Sequence, residues 1–169
     1  LMQAIPDKSV DMILADLPYG TTACKWDSVI PFEPLWAQYK RIIKDNGAIV
    51  LFGSQPFTSA LVMSNPKWFR YEAIWRKTKP SNFMLSRRQI LKMHENITVF
   101  YNSQPTFNPQ KIKREKRDMR PPASNKGVVE VTGQKRVVPT TFLDEKLEGS
   151  IINITNREFG LHPTQKPVE

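Results

Sequence analysis

The sequence predicts an α/β fold, in which short apolar strands alternate with amphipathic helices around one sheet. Three observations carry this. Residues 10–16 (Val-Asp-Met-Ile-Leu-Ala-Asp) form a short, mostly apolar run suited to a strand buried on both faces, as in parallel sheets. Residues 32–44 have helical spacing, with Leu35, Trp36, Tyr39, Ile42 and Ile43 on one face. Residues 48–52 (Ala-Ile-Val-Leu-Phe) are a second buried-strand run, ending at Gly53. Strand, helix, strand in that order implies a crossover connection and a sheet with parallel pairs.

The elements follow in chain order. Asn46-Gly47 is expected to cap the first helix at its C-terminus, where glycine is favoured. Residues 56–64 read as a second helix, with Pro56 in its first turn. Residues 71–77 and 95–101 are a third and a fourth strand, rich in β-branched and aromatic side chains, and residues 150–155 are a fifth. Residues 104–149 break the alternation: they are rich in proline and charge and lack a sustained period. They are expected to be an insertion, with a short hairpin over 128–138 turning at Thr132-Gly133. The expected organisation is a catalytic core over 1–103, a basic insertion over 104–149, and a return to the core over 150–169.

A chain of 169 residues can bury one real core, and 40% hydrophobic with 24% charged residues is a globular composition. The sequence has no apolar run of membrane-spanning length and no signal-peptide pattern at its start, so no membrane partner is expected. Cys24, the single cysteine, cannot form an internal disulfide, and a reducing, cytoplasmic setting is expected. Two histidines and one cysteine are poor material for a zinc site, so no metal is expected. The net charge of +9 points to a polyanion, most simply nucleic acid. Between positions 111 and 136 nine Lys or Arg face three acids, a surplus of six that holds most of the net charge. Lys111, Lys113, Arg114, Lys116 and Arg117 are the candidates for binding a phosphate backbone; a solvated basic loop is the alternative.

The stretch Asp16-Leu17-Pro18-Tyr19-Gly20 places a carboxylate and an aromatic ring just past the end of the first strand. In open α/β sheets ligands bind beyond the carboxyl ends of the strands. Asp, Pro and Gly are also turn residues, so a plain tight turn is the competing reading. The surroundings shift the balance. Asp16-Leu17-Pro18-Tyr19 resembles the Asp-Pro-Pro-Tyr motif of amino-group DNA methyltransferases, which methylate adenine N6 or cytosine N4. Trp26-Asp27, residues 39–47, Trp75-Arg76-Lys77, residues 94–101 and His162-Pro163-Thr164-Gln165-Lys166-Pro167 are similar to later segments of that family, in the same order. This order is that of the β-class. The resemblance implies a Rossmann-like, S-adenosylmethionine-dependent methyltransferase fold, circularly permuted, with residues 104–149 as an inserted recognition region.

The resemblance also gives the motif a chemistry. An exocyclic amine of adenine is a poor nucleophile because its lone pair is delocalised into the ring. Two acceptors aimed at its two N–H groups favour a pyramidal nitrogen, with the lone pair free to attack. Asp16 would supply one acceptor and the backbone carbonyl of Leu17 the other, with Pro18 biasing Leu17 towards an extended conformation. Tyr19 would offer a face for an extruded base, and Gly20 would let the chain turn away. Aspartate in the first position leans towards adenine N6; cytosine N4 is the alternative target. Lys166, Thr164 and Asp16 are the implied contacts to S-adenosylmethionine. Asn82 and Phe83, in the loop 79–88, are candidates for touching the extruded nucleotide, with an ordinary surface loop as the alternative. Trp26 and Asp27 either shape the mouth of the base pocket or pack; His94, Glu95 and His162 are expected to be structural, and Cys24 to be an ordinary small residue. DNA is the expected partner, and a homodimer is expected by analogy. None of the seven glycines forms G-x-G, the turn that would cradle the cofactor. The chain is therefore expected to keep the base pocket, lack most of the cofactor pocket, and bind S-adenosylmethionine weakly by itself. The alternative is a nucleic-acid-binding remnant without catalysis.

Overall fold

The computed structural model describes residues 2–22, 24–114, 128–131, 134–137 and 145–154, with side chains for all of these except 128–131 and 134–137. It divides into two compact units, one comprising residues 1–107 and 150–169, the other residues 108–149.

The first unit is built on a five-stranded mixed sheet. Its strands are β1 (Val10–Asp16), β2 (Ile43–Gly53), β3 (Phe69–Arg76), β4 (His94–Phe100) and β9 (Ile151–Ile152), in the order β1-β2-β4-β3-β9. β1 and β2 are parallel, as are β3 and β9; β4 runs antiparallel to both its neighbours. Helices α1 (Phe32–Ile42) and α2 (Phe57–Ser64) make the crossovers from β1 to β2 and from β2 to β3. Both helices bury an apolar face: Leu35, Trp36 and Tyr39 from α1 and Phe57 and Leu61 from α2 meet Ile49, Leu51 and Phe100 of the sheet. Trp36 stands 4.9 Å from Phe100 between ring centroids, and its indole N–H donates to Ser64 Oγ at 2.7 Å, so a large buried aromatic keeps its polar atom satisfied.

Two expectations are corrected by this architecture. Asn46-Gly47 does not cap α1. The helix ends at Ile42, and the cap residue Ile43 is already extended at φ −72° and ψ 140°. Gly47 lies inside β2, where the register with β1 jumps from Val10↔Ile43 to Met12↔Ala48. A Cβ on Gly47 would come within 2.8 Å of the Asp11 carbonyl oxygen and 2.7 Å of the Ile43 side chain, so glycine permits close strand approach here rather than a left-handed turn. Lys44 and Asp11 pair at 2.7 Å across this irregularity, and Lys8 and Asp45 at the same distance. Nor is β1 buried on both faces: Met12 and Leu14 are exposed, because β1 stands at the end of the described strand order and only alternate side chains face the helices.

The second unit contains β5 (Lys111–Lys113) paired antiparallel with β8 (Glu145–Leu147), and β6 (Val128–Val131) paired antiparallel with β7 (Gln134–Val137). The latter pair is the hairpin expected around 128–138; its turn residues 132 and 133 lie outside the described residues.

Candidate active site

The register of the first unit brings the separate motifs to one edge of the sheet. Asp16 of β1 pairs with Phe52, Phe52 with Ile97, and Ile97 with Ala73. Beyond that line lie Gly53 at the end of β2, Glu95 and His94 at the start of β4, and Trp75 and Arg76 at the end of β3. This is the carboxyl end of all the parallel strands, where an open α/β sheet binds its ligand.

Leu17 fixes the motif in place. Its side chain is buried in the core with Leu35, Trp36 and Phe57, so the backbone leaving β1 cannot drift. Asp16, by contrast, is exposed at the edge. The Tyr19 hydroxyl donates to Asp16 Oδ1 at 2.6 Å, a charge-assisted bond that orients the carboxylate. Burial and this bond push the Tyr19 hydroxyl far above the usual tyrosine range, so it remains a donor at any physiological pH. The Tyr19 ring leans on Phe57 at 5.2 Å between centroids, and Phe57 in turn meets Phe32 at 5.7 Å.

The turn that follows is held by a carboxylate. Asp27 Oδ1 accepts the Gly20 N–H at 2.9 Å, and Oδ2 accepts the N–H groups of Thr21 and Thr22 and the Thr22 hydroxyl at 2.9, 2.7 and 2.8 Å. The Thr22 hydroxyl, followed by the backbone donors, lowers the Asp27 carboxyl from 3.8 to about 2. Gly20 has φ +69°, and a Cβ there would approach Val29 to 2.9 Å, so the turn both needs the left-handed conformation and lacks room for a side chain. Asp27 is the residue whose part was least defined in the sequence. The signal was present: an acid shortly after a Gly-Thr-Thr run whose amides all need an acceptor. Its neighbour Trp26 is 64% exposed and therefore does not serve core packing.

A second group of side chains lines the same edge. Lys77 and Glu95 form an ion pair with both side chains largely buried, and Lys77 Nζ also lies 5.2 Å from the centre of the Trp75 ring. Trp75 Nε1 donates to the Ile154 carbonyl at 2.9 Å, which ties β3 to the segment after β9. Lys92 Nζ donates to Ser54 Oγ, the residue directly after β2. Asn82 is held inside its own loop: its Oδ1 accepts the Lys92 N–H at 2.6 Å and its amide donates to the Ile90 carbonyl at 3.4 Å. Cys24 is an exposed free thiol. Lys111, Lys113 and Arg114 belong to the second unit. Lys116, Arg117, Thr164 and Lys166 lie outside the described residues. No helix among the described residues is long and apolar enough to cross a membrane.

The mixed sheet with its crossover helices is of the α/β, Rossmann-like class, and comparison with solved structures supports that fold. The chain is similar to the M1.HpyAVI–SAM complex, with a TM-score of 0.53 and 20% identity, over 98% of this chain and 63% of that one. It is similar also to the PvuII DNA methyltransferase (cytosine-N4-specific), with a TM-score of 0.50 and 10% identity, over 95% of this chain and 55% of that one. The chain thus spans somewhat over half the length of these relatives. The sequence pattern of the DNA methylase family N6_N4_Mtase matches residues 10–169, and the chain belongs to that family.

Proposed function

We propose that this chain carries the base-binding half of an enzyme that transfers a methyl group from S-adenosylmethionine to an exocyclic amine of DNA, with adenine N6 as the target. The observation that carries the reading is the Asp16 carboxylate, exposed at the carboxyl edge of the sheet and oriented by the Tyr19 hydroxyl at 2.6 Å.

The described residues suit the base side of this reaction. Asp16 accepts one N–H of the amine, and the Leu17 carbonyl, anchored by a buried side chain, accepts the other. Fixed acceptors of this kind favour the pyramidal nitrogen of the transition state over the flat amine of the ground state. Tyr19 supplies an aromatic surface for the extruded base. Its hydroxyl holds Asp16 and takes no proton, because its pKa is raised. Asp27 keeps the turn that follows from collapsing onto the motif. Proteins of this family use S-adenosylmethionine, whose sulfonium makes its methyl group electrophilic. Asp16, and by resemblance Thr164 and Lys166, are the residues of this chain that would hold it.

Single-turnover transfer of a labelled methyl group by the full-length protein tests the reading, with the product nucleoside identified by mass spectrometry. N6-methyladenine is expected. N4-methylcytosine would move the target but keep the chemistry, whereas 5-methylcytosine or no product would overturn the proposal.

A further inference from the structure

The loop between β3 and β4 is closed on itself by hydrogen bonds. Ser81 N–H donates to the Lys92 carbonyl at 3.1 Å and Lys77 N–H to the Met93 carbonyl at 2.8 Å, closing its base. Asn82 Oδ1 accepts the Lys92 N–H across it. Its tip is wound into a short 3-10 turn, Phe83–Leu85, continued by bonds from Ser86, Arg88 and Gln89 to Phe83 and Leu85. A loop so closed could fold its apolar side chains inward. Instead Phe83 is 69% exposed, Met84 91% and Ile90 94%. Between Lys77 and Met93 there are five cations (Lys77, Lys79, Arg87, Arg88 and Lys92) and no acid. The loop springs from the sheet edge that carries Asp16, and Lys92 ties it to Ser54, two residues past the β2 partner of Asp16.

We infer that this loop is a wedge for duplex DNA: Phe83 and Met84 enter the base stack next to the target nucleotide while Arg87 and Arg88 engage the flanking phosphates. The inference rests on the proposed function and adds to it the means by which a paired base reaches Asp16. Apolar wedges framed by cations are suited to duplex DNA, because unstacking a base step needs a filler and a bent backbone needs countercharge. Lys77 is taken up by its buried pair with Glu95 and Lys92 by Ser54, which leaves Lys79, Arg87 and Arg88 exposed with no acid in the loop. A surface so charged suits a phosphate backbone, and a membrane surface would not account for its place beside the acceptor site.

The test uses the full-length protein and its Phe83→Ala, Met84→Ala and double variants, which truncate exposed side chains outside the core. Sites methylated by the wild type in unmodified plasmid DNA, located by sequencing, define two oligonucleotide duplexes: one fully paired, one with the target base mispaired. The double variant is expected to lose on the order of tenfold or more in single-turnover rate on the paired duplex, since nothing then fills the gap that unstacking opens. On the mispaired duplex it is expected to stay within about twofold of wild type. The fluorescence rise of 2-aminopurine at the target position should fall in parallel. Equal loss on both duplexes, no loss on either, or a change in oligomeric state by light scattering would overturn the wedge. A wild type that methylates neither plasmid nor oligonucleotide would instead overturn the proposed function on which it rests.

Discussion

Asp16 and Tyr19 touch each other, yet their roles separate under mutation. Asp16→Ala in the full-length protein removes one fixed acceptor, which typically costs on the order of 3 kcal/mol, or roughly a hundredfold in rate. Affinity for DNA should stay close to wild type, because the acceptor matters mainly as the nitrogen becomes pyramidal. Tyr19→Phe keeps the ring and its packing against Phe57 but removes the hydroxyl's bond to the carboxylate. A hydrogen bond to a charged group is worth about 1.5–3 kcal/mol, and only the part of it that orients Asp16 enters the rate, so a fall in single-turnover rate smaller than that of Asp16→Ala is expected. Tyr19→Ala removes the stacking surface as well and should also weaken capture of the extruded base. Asp27 acts one step further out, and its effect is read in pH. Its folded carboxyl titrates at about 2 against an ordinary 3.8. A depressed acid stabilises the fold above its unfolded value and loses that contribution as pH falls through the folded one. The amides of Gly20, Thr21 and Thr22 should therefore be protected from hydrogen exchange at pH 5 and lose protection between about pH 4 and 2. In Asp27→Asn they should be less protected at pH 5, with little further change on acidification. Equal protection in the two proteins at pH 5 would show that the turn holds itself.

At the scale of elements, legibility in the sequence followed locality. The strands at 10–16 and 48–52 and both helices could be seen because their apolar periods are set by adjacent residues. The end of α1 could not. Lys44-Asp45-Asn46-Gly47 has the composition of a helix cap, but Ile43 is drawn into β2 by its pairing with Val10, a partner 33 positions away. Likewise the reversed direction of β4 is a consequence of long-range pairing with β2 and β3, which no local pattern encodes. In the site, the motif 16–19 was legible because it is contiguous, whereas the Lys77–Glu95 pair and the Lys92–Ser54 bond join residues that only the sheet register brings together. Gly47 supplies the test. A Cβ placed 2.8 Å from a backbone oxygen of β1 forces the two strands apart, since that oxygen cannot swing away as a side chain would. Gly47→Ala is expected to lower stability by about 1–3 kcal/mol, as overpacking does, in a denaturant titration. A change below about 0.5 kcal/mol would mean that the irregularity at Val10/Met12 relaxes to admit it.

For the whole molecule the dominant quantity is a net charge of +9, most of it within residues 111–136. If DNA is the partner, these cations should act through phosphates rather than bases, and each phosphate neutralised releases condensed counterions. The plot of log affinity against log salt should then be steep. Replacing Lys111, Lys113, Arg114, Lys116 and Arg117 by glutamine should flatten it by roughly 0.9 for every phosphate that is no longer neutralised. The cations are not equivalent. Lys111 and Lys113 stand two apart on β5 and so share a face, but Lys111 lies 3.5 Å from Glu145 on β8, a solvent-exposed pair. Arg114 donates its Nε–H to the Glu145 carbonyl at 3.2 Å, a bond that leaves its charge in place. Glu145 also stands directly opposite Lys113 in the register, so it offsets both lysines, and Arg114→Gln should change the slope more than either Lys111→Gln or Lys113→Gln. Asp16→Ala should leave the slope unaltered, which separates electrostatic holding from chemistry at the sheet edge. Fluorescence anisotropy with a labelled duplex, titrated from low to physiological potassium chloride, measures all of these. An unchanged slope in the fivefold variant would show that the basic insertion is a solvated surface and that the affinity for DNA arises elsewhere, with the cations of the loop between β3 and β4 the next to be replaced.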